Sequence, residues 1–241
     1  MNFRRNYNST GLKVPASLPK RGVLCVSSGF QAPPELLLDG YCTPVEDQGS
    51  KPWCAAYSAT SFAENVLWRT NGRRRDVDPA PVYAYAKTID GDPDGDGTYL
   101  ECALKGLIHV GAFEPDCRVR TFGNSWFGFG DTDAVNETKY AIHRYGCCVA
   151  GFSITDEWFS PAEDVIRGGA GFTPQGGHAV LLCGYDEGGF LIMNSWGRDY
   201  GHDGKVYVSN EAFRKQFMYA AVLTHCLDDG STAGRNEDEK Q

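Results

Sequence analysis

The amino-acid pattern of the chain changes near Pro115, and this change limits the folds that it can adopt. Before Pro115, small and apolar residues recur at helical spacing, as in the segment that begins at Cys54 and stops at Asn71-Gly72. After Pro115, short apolar runs alternate with glycine-rich turns, which is typical of an antiparallel sheet. The sequence therefore predicts an α+β protein in which a helical lobe precedes a β-rich lobe.

The same patterns place the individual elements. Beyond the helix that begins at Cys54, helices are predicted at 81–89, 100–110 and 135–145. Strands are predicted at five apolar runs, which are 148–154, 178–185, 189–193, 205–209 and 219–223. Because all five runs follow the change in pattern, one sheet is expected to form most of the second lobe.

Composition divides the chain into three parts. Residues 1–40 are rich in Pro, Gly and Ser and carry no acid before Glu35, so they predict an extended basic arm with at most one strand. Residues 41–226 form the main domain, with the helical lobe at about 41–115 and the β-rich lobe at about 116–226. Residues 227–241 are polar and predict a disordered acidic tail.

Charge and hydropathy argue against two classes of partner. The net charge of −8 is unlike that of a nucleic-acid-binding surface, which is basic. No run approaches the roughly 20 apolar residues that are needed to span a bilayer. Hydrophobic residues make up 41% of the 241 residues, which is enough to bury a sizeable core. We therefore expect a monomeric globular protein without nucleic-acid or membrane partners.

The cysteines and the first residues bear on cellular location. The basic start of the chain is not followed by an apolar run, so no standard signal peptide is expected. The chain has nine cysteines, and an odd number leaves at least one thiol without an intramolecular partner. These features predict a cytoplasmic protein with mostly reduced and buried cysteines, and export by a non-standard route stays open.

Cys54 is the first candidate for a reactive group. It opens a long predicted helix directly after the loop Gly-Ser-Lys-Pro-Trp. The unpaired N–H groups and the dipole at a helix N-terminus favour the thiolate, which is the nucleophilic form of cysteine. Position alone does not decide the matter, because most cysteines in such places are buried structural residues.

A histidine and an asparagine later in the chain complete a possible constellation. Among five histidines, only His178 starts an apolar strand after two glycines. Asn194 follows sixteen residues later, at the end of the next apolar run. Two adjacent strands would bring these side chains together, and the amide would then fix the tautomer of the imidazole. Taken singly, the first is more often a core histidine and the second a turn residue.

The segments around these residues resemble the active-site segments of the papain and cathepsin family of cysteine peptidases. The nucleophile segment of that family is similar to PVEDQGSKPWCAAYSAT, in which Gln48 precedes Cys54 by six residues as in the family. The histidine-to-asparagine segment is similar to HAVLLCGYDEGGFLIMNSWGRDYGHDG. The resemblance covers roughly residues 41–223, and the compact form with few disulfides looks like a bacterial-type member. It implies a papain-like fold, with a helical left lobe, a β-barrel right lobe and the active-site cleft between them.

The resemblance also implies a role for each matching residue. Cys54 would attack the scissile carbonyl, His178 would pair with it as an imidazolium and protonate the leaving amine, and Asn194 would orient His178. The Gln48 side chain and the Cys54 backbone N–H would form the oxyanion hole. Substrate-binding roles fall to three further positions: Trp196, which would also cover the His–Asn pair, and Thr98 and Tyr99 within the strip that pairs with the substrate chain.

The expected function is peptide-bond hydrolysis through an acyl-enzyme, with endopeptidase action as the default and no cofactor or metal. The substrate would be a peptide or a protein. Two alternatives share the same residues: an inactive papain-fold binding module, and a thiol acyltransferase or a protease for ubiquitin-like proteins. Lys51 stands where secreted relatives carry a disulfide cysteine, so their disulfide scheme is not expected here.

Two hypotheses concern segments outside this constellation. The arm at residues 1–40 is much shorter than the family's usual inhibitory pro-domain, and its acid-free composition suggests that it folds over the cleft and limits access. An arm packed away from the site is an equal alternative. A calcium-loop pattern, D-x-D-x-D-G-x5-E, is the second feature, but Pro93 at an inner position and the overlap with the substrate strip make it the minor interpretation. The matching residues are Asp90, Asp92, Asp94, Gly95 and Glu101.

Overall fold

The computed structural model describes residues 10–15, 29–72, 74–123, 132–169 and 171–224. The predicted tail at 227–241 and much of the predicted arm lie outside these ranges. The helices are α1 (Cys54–Asn71), α2 (Pro79–Ile89), α3 (Leu100–His109), α4 (Thr132–Tyr145) and α5 (Asn210–Gln216). The strands are β1 (Leu36–Leu37), β2 (Arg118–Phe122), β3 (Cys148–Ile154), β4 (Val165–Ile166), β5 (Gly176–Tyr185), β6 (Gly189–Met193), β7 (Lys205–Ser209) and β8 (Phe217–Thr224).

Helix α1 is the central element of the first lobe. Its first twelve residues, from Cys54 to Asn65, are all buried, and it packs against α2, α3, β3 and β5. The helix ends at Gly72, whose positive φ of 67° lets its N–H reach the Trp68 carbonyl. The predicted start at Cys54 and stop at Asn71-Gly72 are therefore confirmed.

The strands form one sheet in the order β2-β8-β3-β5-β6-β7-β4, with β1 added on β5. Every pair is antiparallel except β4 with β7. The sheet and the helices together confirm the predicted α+β class. Within the described residues the pairing path stays open, since β2 and β4 end it without pairing to each other.

Strand β5 lies near the middle of the sheet and carries His178. The eight residues from His178 to Tyr185 are all buried, which explains why this run is apolar throughout instead of alternating. Register with β3 places His178 opposite Phe152, and β6 pairs on the other side and ends at Met193, directly before Asn194. The β5–β6 hairpin thus brings the predicted histidine and asparagine to one end of the sheet, as the sequence analysis anticipated.

Three elements were not predicted: helix α5, strand β2 and the two-residue strand β4. Helix α5 has only seven residues, and it begins where the Ser209 hydroxyl accepts a hydrogen bond from the Ala212 N–H at 3.1 Å. Strand β2 is mostly polar in sequence and pairs with β8 along its whole length.

Helix α2 begins at Pro79, two residues earlier than predicted, because Asp78 caps it through the Ala80 N–H at 2.8 Å. No helix in the described ranges is both long and apolar enough to span a membrane.

Candidate active site

Cys54 is the first residue of α1 and is fully buried. Burial raises the pKa of its thiol to about 11, against the opposing effect of hydrogen bonds from the backbone of Ala179, Gly11 and Ala55. Ala179 directly follows His178 on β5, so the sulfur lies against the strand that carries the predicted base. The thiol is therefore positioned at a helix N-terminus, but its burial favours the protonated form.

His178 is held by Asn194 in a buried hydrogen bond. The His178 Nε2 lies 2.7 Å from the Asn194 Oδ1, and both side chains are buried. The Ser195 N–H also donates to this oxygen at 2.8 Å, which identifies the atom as the amide oxygen. Because an amide oxygen only accepts, the imidazole N–H must donate from Nε2. This contact fixes the tautomer in the way that the sequence analysis proposed for the pair.

Aromatic rings shield this hydrogen bond from water. The Trp196 ring stacks on His178, with centroids 4.6 Å apart and planes at 29°. Phe159 stacks on Trp196 at 5.5 Å, and the Trp158 ring meets His178 edge-on at 6.3 Å. Trp196 is fully buried, so its ring separates the His178 side chain from solvent on that face. A hydrogen bond in such apolar surroundings is stronger than one exposed to water.

Gln48 is tied to the segment that follows β6. Its Nε2 donates to the Lys51 carbonyl at 2.7 Å, and its Oε1 accepts from the Ser195 hydroxyl at 2.5 Å. The Gln48 N–H also donates to the Ser195 carbonyl at 2.9 Å. Sequence reasoning did not identify Ser195, although it stands next to Asn194 in the Asn-Ser-Trp motif. These contacts join the predicted oxyanion-hole residue to the His–Asn pair across 147 positions of sequence.

Thr98 and Tyr99 lie at the start of α3, on the other side of the site. Thr98 is buried and uses both its backbone N–H and its carbonyl in bonds to a second segment. Tyr99 is partly exposed and is the last residue before α3. A substrate role for either residue stays a prediction, but the Thr98 backbone does pair with an extended chain.

That extended chain is residues 10–15 of this protein, which we call the inner arm. The Gly11 carbonyl accepts from the Thr98 N–H at 2.9 Å, and the Lys13 N–H donates to the Thr98 carbonyl at 3.0 Å. The Leu12 N–H donates to the Gly177 carbonyl at 3.2 Å, so the inner arm bridges the two lobes. The pairing with Thr98 is parallel. Since the Gly11 backbone also hydrogen-bonds the Cys54 sulfur, the inner arm covers the predicted nucleophile.

Lys13 fastens the inner arm to the loop that follows α2. Its ammonium group lies 3.2 Å from the Asp90 carboxylate and 2.8 Å from the Asp92 carboxylate. Burial opposes the ionisation of Asp90, but hydrogen bonds from Lys87, the Asp92 backbone and Lys13 outweigh it and lower its pKa. The Lys13 contact lowers the pKa of Asp92. Two acids of the calcium-loop pattern thus face ammonium groups, which a divalent ion would have to displace.

The seven cysteines within the described residues form no disulfide. Cys54, Cys102, Cys117, Cys147, Cys148 and Cys183 are buried, and Cys42 is half-buried. The two other cysteines of the chain, Cys25 and Cys226, lie outside the described ranges. Burial is what the sequence analysis expected of most of them.

Several curated proteins are similar to this chain in sequence. No protein-family model matches the chain. Chicken cathepsin K is 28% identical over 224 residues, a match that covers 83% of this chain and 66% of that protein. Papain from Carica papaya is 26% identical over 188 residues and is matched over 70% of this chain and 52% of its own length. The chain is similar to papain-like cysteine peptidases. It spans about half to two thirds of the length of these relatives.

Solved structures confirm the papain-like fold. Xylellain, a cysteine protease from Xylella fastidiosa, superposes on this chain with a TM-score of 0.69 at 19% identity. The superposition covers 99% of the xylellain chain and 93% of this chain. Digestive procathepsin L 3 of Tenebrio molitor gives a TM-score of 0.68 at 17% identity, over 90% of this chain and 77% of that one. At such identities the likeness concerns the fold alone, and the bounds of the two predicted lobes stay a prediction.

Proposed function

We propose that this protein is a cysteine peptidase that hydrolyses peptide bonds, with Cys54 as nucleophile and His178 as general base and acid. The observation that carries the proposal is the assembly of the site from three distant parts of the chain. The sulfur contacts the backbone next to His178, His178 is bonded to Asn194 at 2.7 Å, and Trp196 covers that bond. A nucleophile, a base and an orienting group in this arrangement support acyl transfer through a thioester.

The chemistry follows from the tautomer of His178. Because Nε2 donates to Asn194, the Nδ1 atom is left to take the thiol proton from Cys54. The thiolate then attacks the scissile carbonyl carbon, and negative charge develops on the carbonyl oxygen. The Cys54 N–H at the helix N-terminus and the Gln48 amide are the groups proposed to stabilise that oxyanion, once Gln48 turns from the Lys51 carbonyl.

Three proton transfers complete the proposed cycle. The His178 imidazolium gives its proton to the departing amine, and the acyl group stays on the Cys54 sulfur as a thioester. A water molecule then loses a proton to His178 and attacks the thioester carbonyl, which releases the acid and the Cys54 thiolate. The His178 imidazolium finally returns its proton to that thiolate and restores the thiol. No metal or cofactor takes part in these steps, since thiol, imidazole and amide supply the required groups.

We propose further that the inner arm limits access to this site. Three backbone hydrogen bonds hold it across the cleft, and Gly11 sits against the sulfur. The buried, protonated thiol is then a consequence of the arm, because removing the arm would return water to Cys54 and lower the pKa of its thiol. The structure described here would be the closed, zymogen-like form of the enzyme.

The path of the inner arm also favours endopeptidase action. Residue 10 lies on one side of the contact with Cys54 and residues 12–15 on the other, so a polypeptide can continue past the sulfur in both directions. A site of this kind can bind the middle of a peptide. Cleavage of an internally quenched peptide with both termini blocked would support this proposal, whereas cleavage only of peptides with a free terminus would contradict it.

The proposed nucleophile can be tested by covalent labelling. Wild-type protein, Cys54→Ser and His178→Ala are treated with an epoxysuccinyl thiol-protease inhibitor, and the site is read by intact mass and peptide mapping. We expect one label on Cys54 in the wild type, none in Cys54→Ser, and labelling at least 100-fold slower in His178→Ala because the thiolate loses its base. Equal labelling rates of the folded wild type and His178→Ala would refute the proposed Cys54–His178 pair. In a turnover assay, slow hydrolysis of a peptide with fast transfer of its acyl group to added amines would favour the acyltransferase.

A further inference from the structure

Two cysteines away from the candidate active site face each other. Cys42 follows the short 3-10 turn at Asp39–Tyr41, and Cys183 lies on β5. The two segments are adjacent, since the Leu38 N–H donates to the Cys183 carbonyl at 2.9 Å and β1 pairs with β5 just beyond it. The Asn65 side-chain amide donates to the Leu38 carbonyl at 3.4 Å and to the Cys42 sulfur at 3.6 Å, so the Cys42 side chain lies beside the segment that pairs with Cys183. Each of the two thiols shifts the pKa of the other. Side chains in this contact need little movement to become cross-linked.

The two thiols have different surroundings. Cys183 is fully buried, with its sulfur 3.7 Å from the Leu191 carbonyl oxygen. Cys42 is half-buried, and its sulfur accepts a hydrogen bond from the Asn65 amide at 3.6 Å. The contact with Cys183, aided by the charge of Lys205, lowers the pKa of Cys42, while the same contact and burial raise the pKa of Cys183. Cys42 is therefore the more accessible and more nucleophilic of the two.

We propose that Cys42 and Cys183 are a redox-active pair that forms a disulfide on exposure to a low-molecular-weight disulfide such as oxidised glutathione. The Cys42 thiolate attacks one sulfur of the glutathione disulfide and releases one glutathione thiolate, leaving a mixed disulfide on Cys42. Cys183 then loses its proton, attacks the Cys42 sulfur and releases the second glutathione. Two protein thiols are oxidised to one disulfide, and one glutathione disulfide is reduced to two thiols.

The cross-link would tie the entry of the domain to its central strand. Cys42 lies at the point where residues 29–42 lead from the arm into α1, and Cys183 is five residues from His178 on β5. The disulfide would hold β1 on β5 and close a loop between positions 42 and 183, which constrains the unfolded chain. The inference does not depend on the proposed peptidase activity, since it concerns stability and covalent state.

A third thiol competes for the same partner. Cys147 is fully buried, its sulfur is 4.0 Å from the Phe62 carbonyl oxygen, and it interacts electrostatically with Cys42. The hydrogen bond from the Leu38 N–H to the Cys183 carbonyl, four residues before Cys42, favours Cys183 as the resolving thiol. Cys54 is not expected to react first, since the inner arm covers it and the pKa of its thiol is raised to about 11.

The test uses the full chain. Reduced wild-type protein is incubated with oxidised glutathione, remaining thiols are alkylated, and the protein is digested without reduction for mass spectrometry. We expect a linked peptide pair containing Cys42 and Cys183, and a melting temperature higher by on the order of 5 °C that returns to its starting value with dithiothreitol. Cys42→Ser and Cys183→Ser should lose both effects, and the matched control Cys102→Ser, on α3, should keep them.

Three outcomes would overturn the proposal. One is a folded protein in which Cys42 carries glutathione and never links to Cys183. A second is a linked peptide that joins Cys42 to Cys147. A third is a Cys42→Val, Cys183→Val double variant whose melting temperature responds to oxidised glutathione as the wild type does, which would place the responsive thiols elsewhere.

Discussion

Gly11 is the position at which a single methyl group should open the candidate active site. A Cβ atom built on Gly11 would overlap the Pro52 carbonyl oxygen and lie 2.8 Å from the Pro52 Cα, and both atoms belong to the backbone just before α1. Backbone atoms there cannot retreat as the end of a flexible side chain would. The substitution Gly11→Ala should therefore displace the inner arm from Cys54 while leaving the domain beneath it intact.

The size of the effect follows from the contacts that the displaced segment loses. Three backbone hydrogen bonds join the inner arm to Thr98 and Gly177. At about 1 kcal/mol each they contribute about 3 kcal/mol to the closed form, which corresponds to about two orders of magnitude in the closed-to-open ratio. The burial of Leu12, which is 8% exposed, adds to this preference.

The assay is the second-order rate at which an epoxysuccinyl inhibitor labels Cys54, followed by intact mass. We expect Gly11→Ala to react about 100-fold faster than the wild type, because the rate is proportional to the open population. The matched control is Gly40→Ala, since a Cβ atom at Gly40 meets no atom within 4 Å. That variant should react at the wild-type rate.

Two results would refute this reasoning. If Gly11→Ala, Gly40→Ala and the wild type all react at one rate, the inner arm does not control access to Cys54. If Gly11→Ala reacts faster but the Leu12 and Lys13 amides keep their protection from hydrogen exchange, the arm has stayed in place and another change explains the rate.

Three further predictions concern the ion pairs of Lys13, the oxyanion hole and the stability of the domain. Lys13→Met should speed labelling several-fold near pH 7, because it removes the ion pairs that hold the inner arm to Asp90 and Asp92. Both carboxylates have lowered pKa values, so the advantage of the variant should be complete above about pH 4, shrink below it, and be lost only below the lowered pKa values. A rate ratio that does not change with pH would contradict this. Ser195→Ala should lower kcat about 10-fold on a fluorogenic peptide with little change in KM, since the Gln48 amide loses the hydroxyl that orients it; an unchanged kcat would show that Gln48 needs no such support. Glu46→Gln should raise the melting temperature relative to wild type by on the order of 5 °C at pH 8 but not at pH 4.5, because burial raises the pKa of Glu46 from 4.5 to about 7. Between these values the carboxyl is ionised mainly in the unfolded state, so the wild type loses stability as the pH rises through this range. Melting curves of both proteins that stay parallel from pH 4.5 to 8 would rule this out.

Many of the helices and strands could be predicted because local patterns of apolar and turn residues determine them. Strands β3, β6 and β7 have the predicted bounds, since each is an apolar run closed by turn residues. Helix α1 also has its predicted start and stop, because a continuous apolar stripe ends at an Asn-Gly pair with the required left-handed glycine. Helix α5 could not be found in this way. It has seven residues, and Phe213 packs on Phe190 and Phe217 with centroids 4.4 Å from each, so tertiary contacts stabilise it.

The predicted site residues were found through two motifs, and each motif is also local. Cys54 opens α1 and His178 lies on β5 as expected, and Asn194 follows β6, because hairpin geometry brings the ends of adjacent strands together. The catalytic roles of these residues stay predictions until the labelling and kinetic tests are done.

The sequence by itself determined the two-lobe α+β arrangement and the likeness to papain, because helical and strand periods and two short motifs need no knowledge of distant contacts. Only the tertiary structure decided how Ser195 holds Gln48, how Lys13 reaches the acidic loop, and that Gly11 lies on the Cys54 sulfur. These contacts join residues tens to more than a hundred positions apart, and no local pattern marks them. They depend on steric fit between distant segments. Gly11, for example, is required only because the folded chain brings the Pro52 backbone against it.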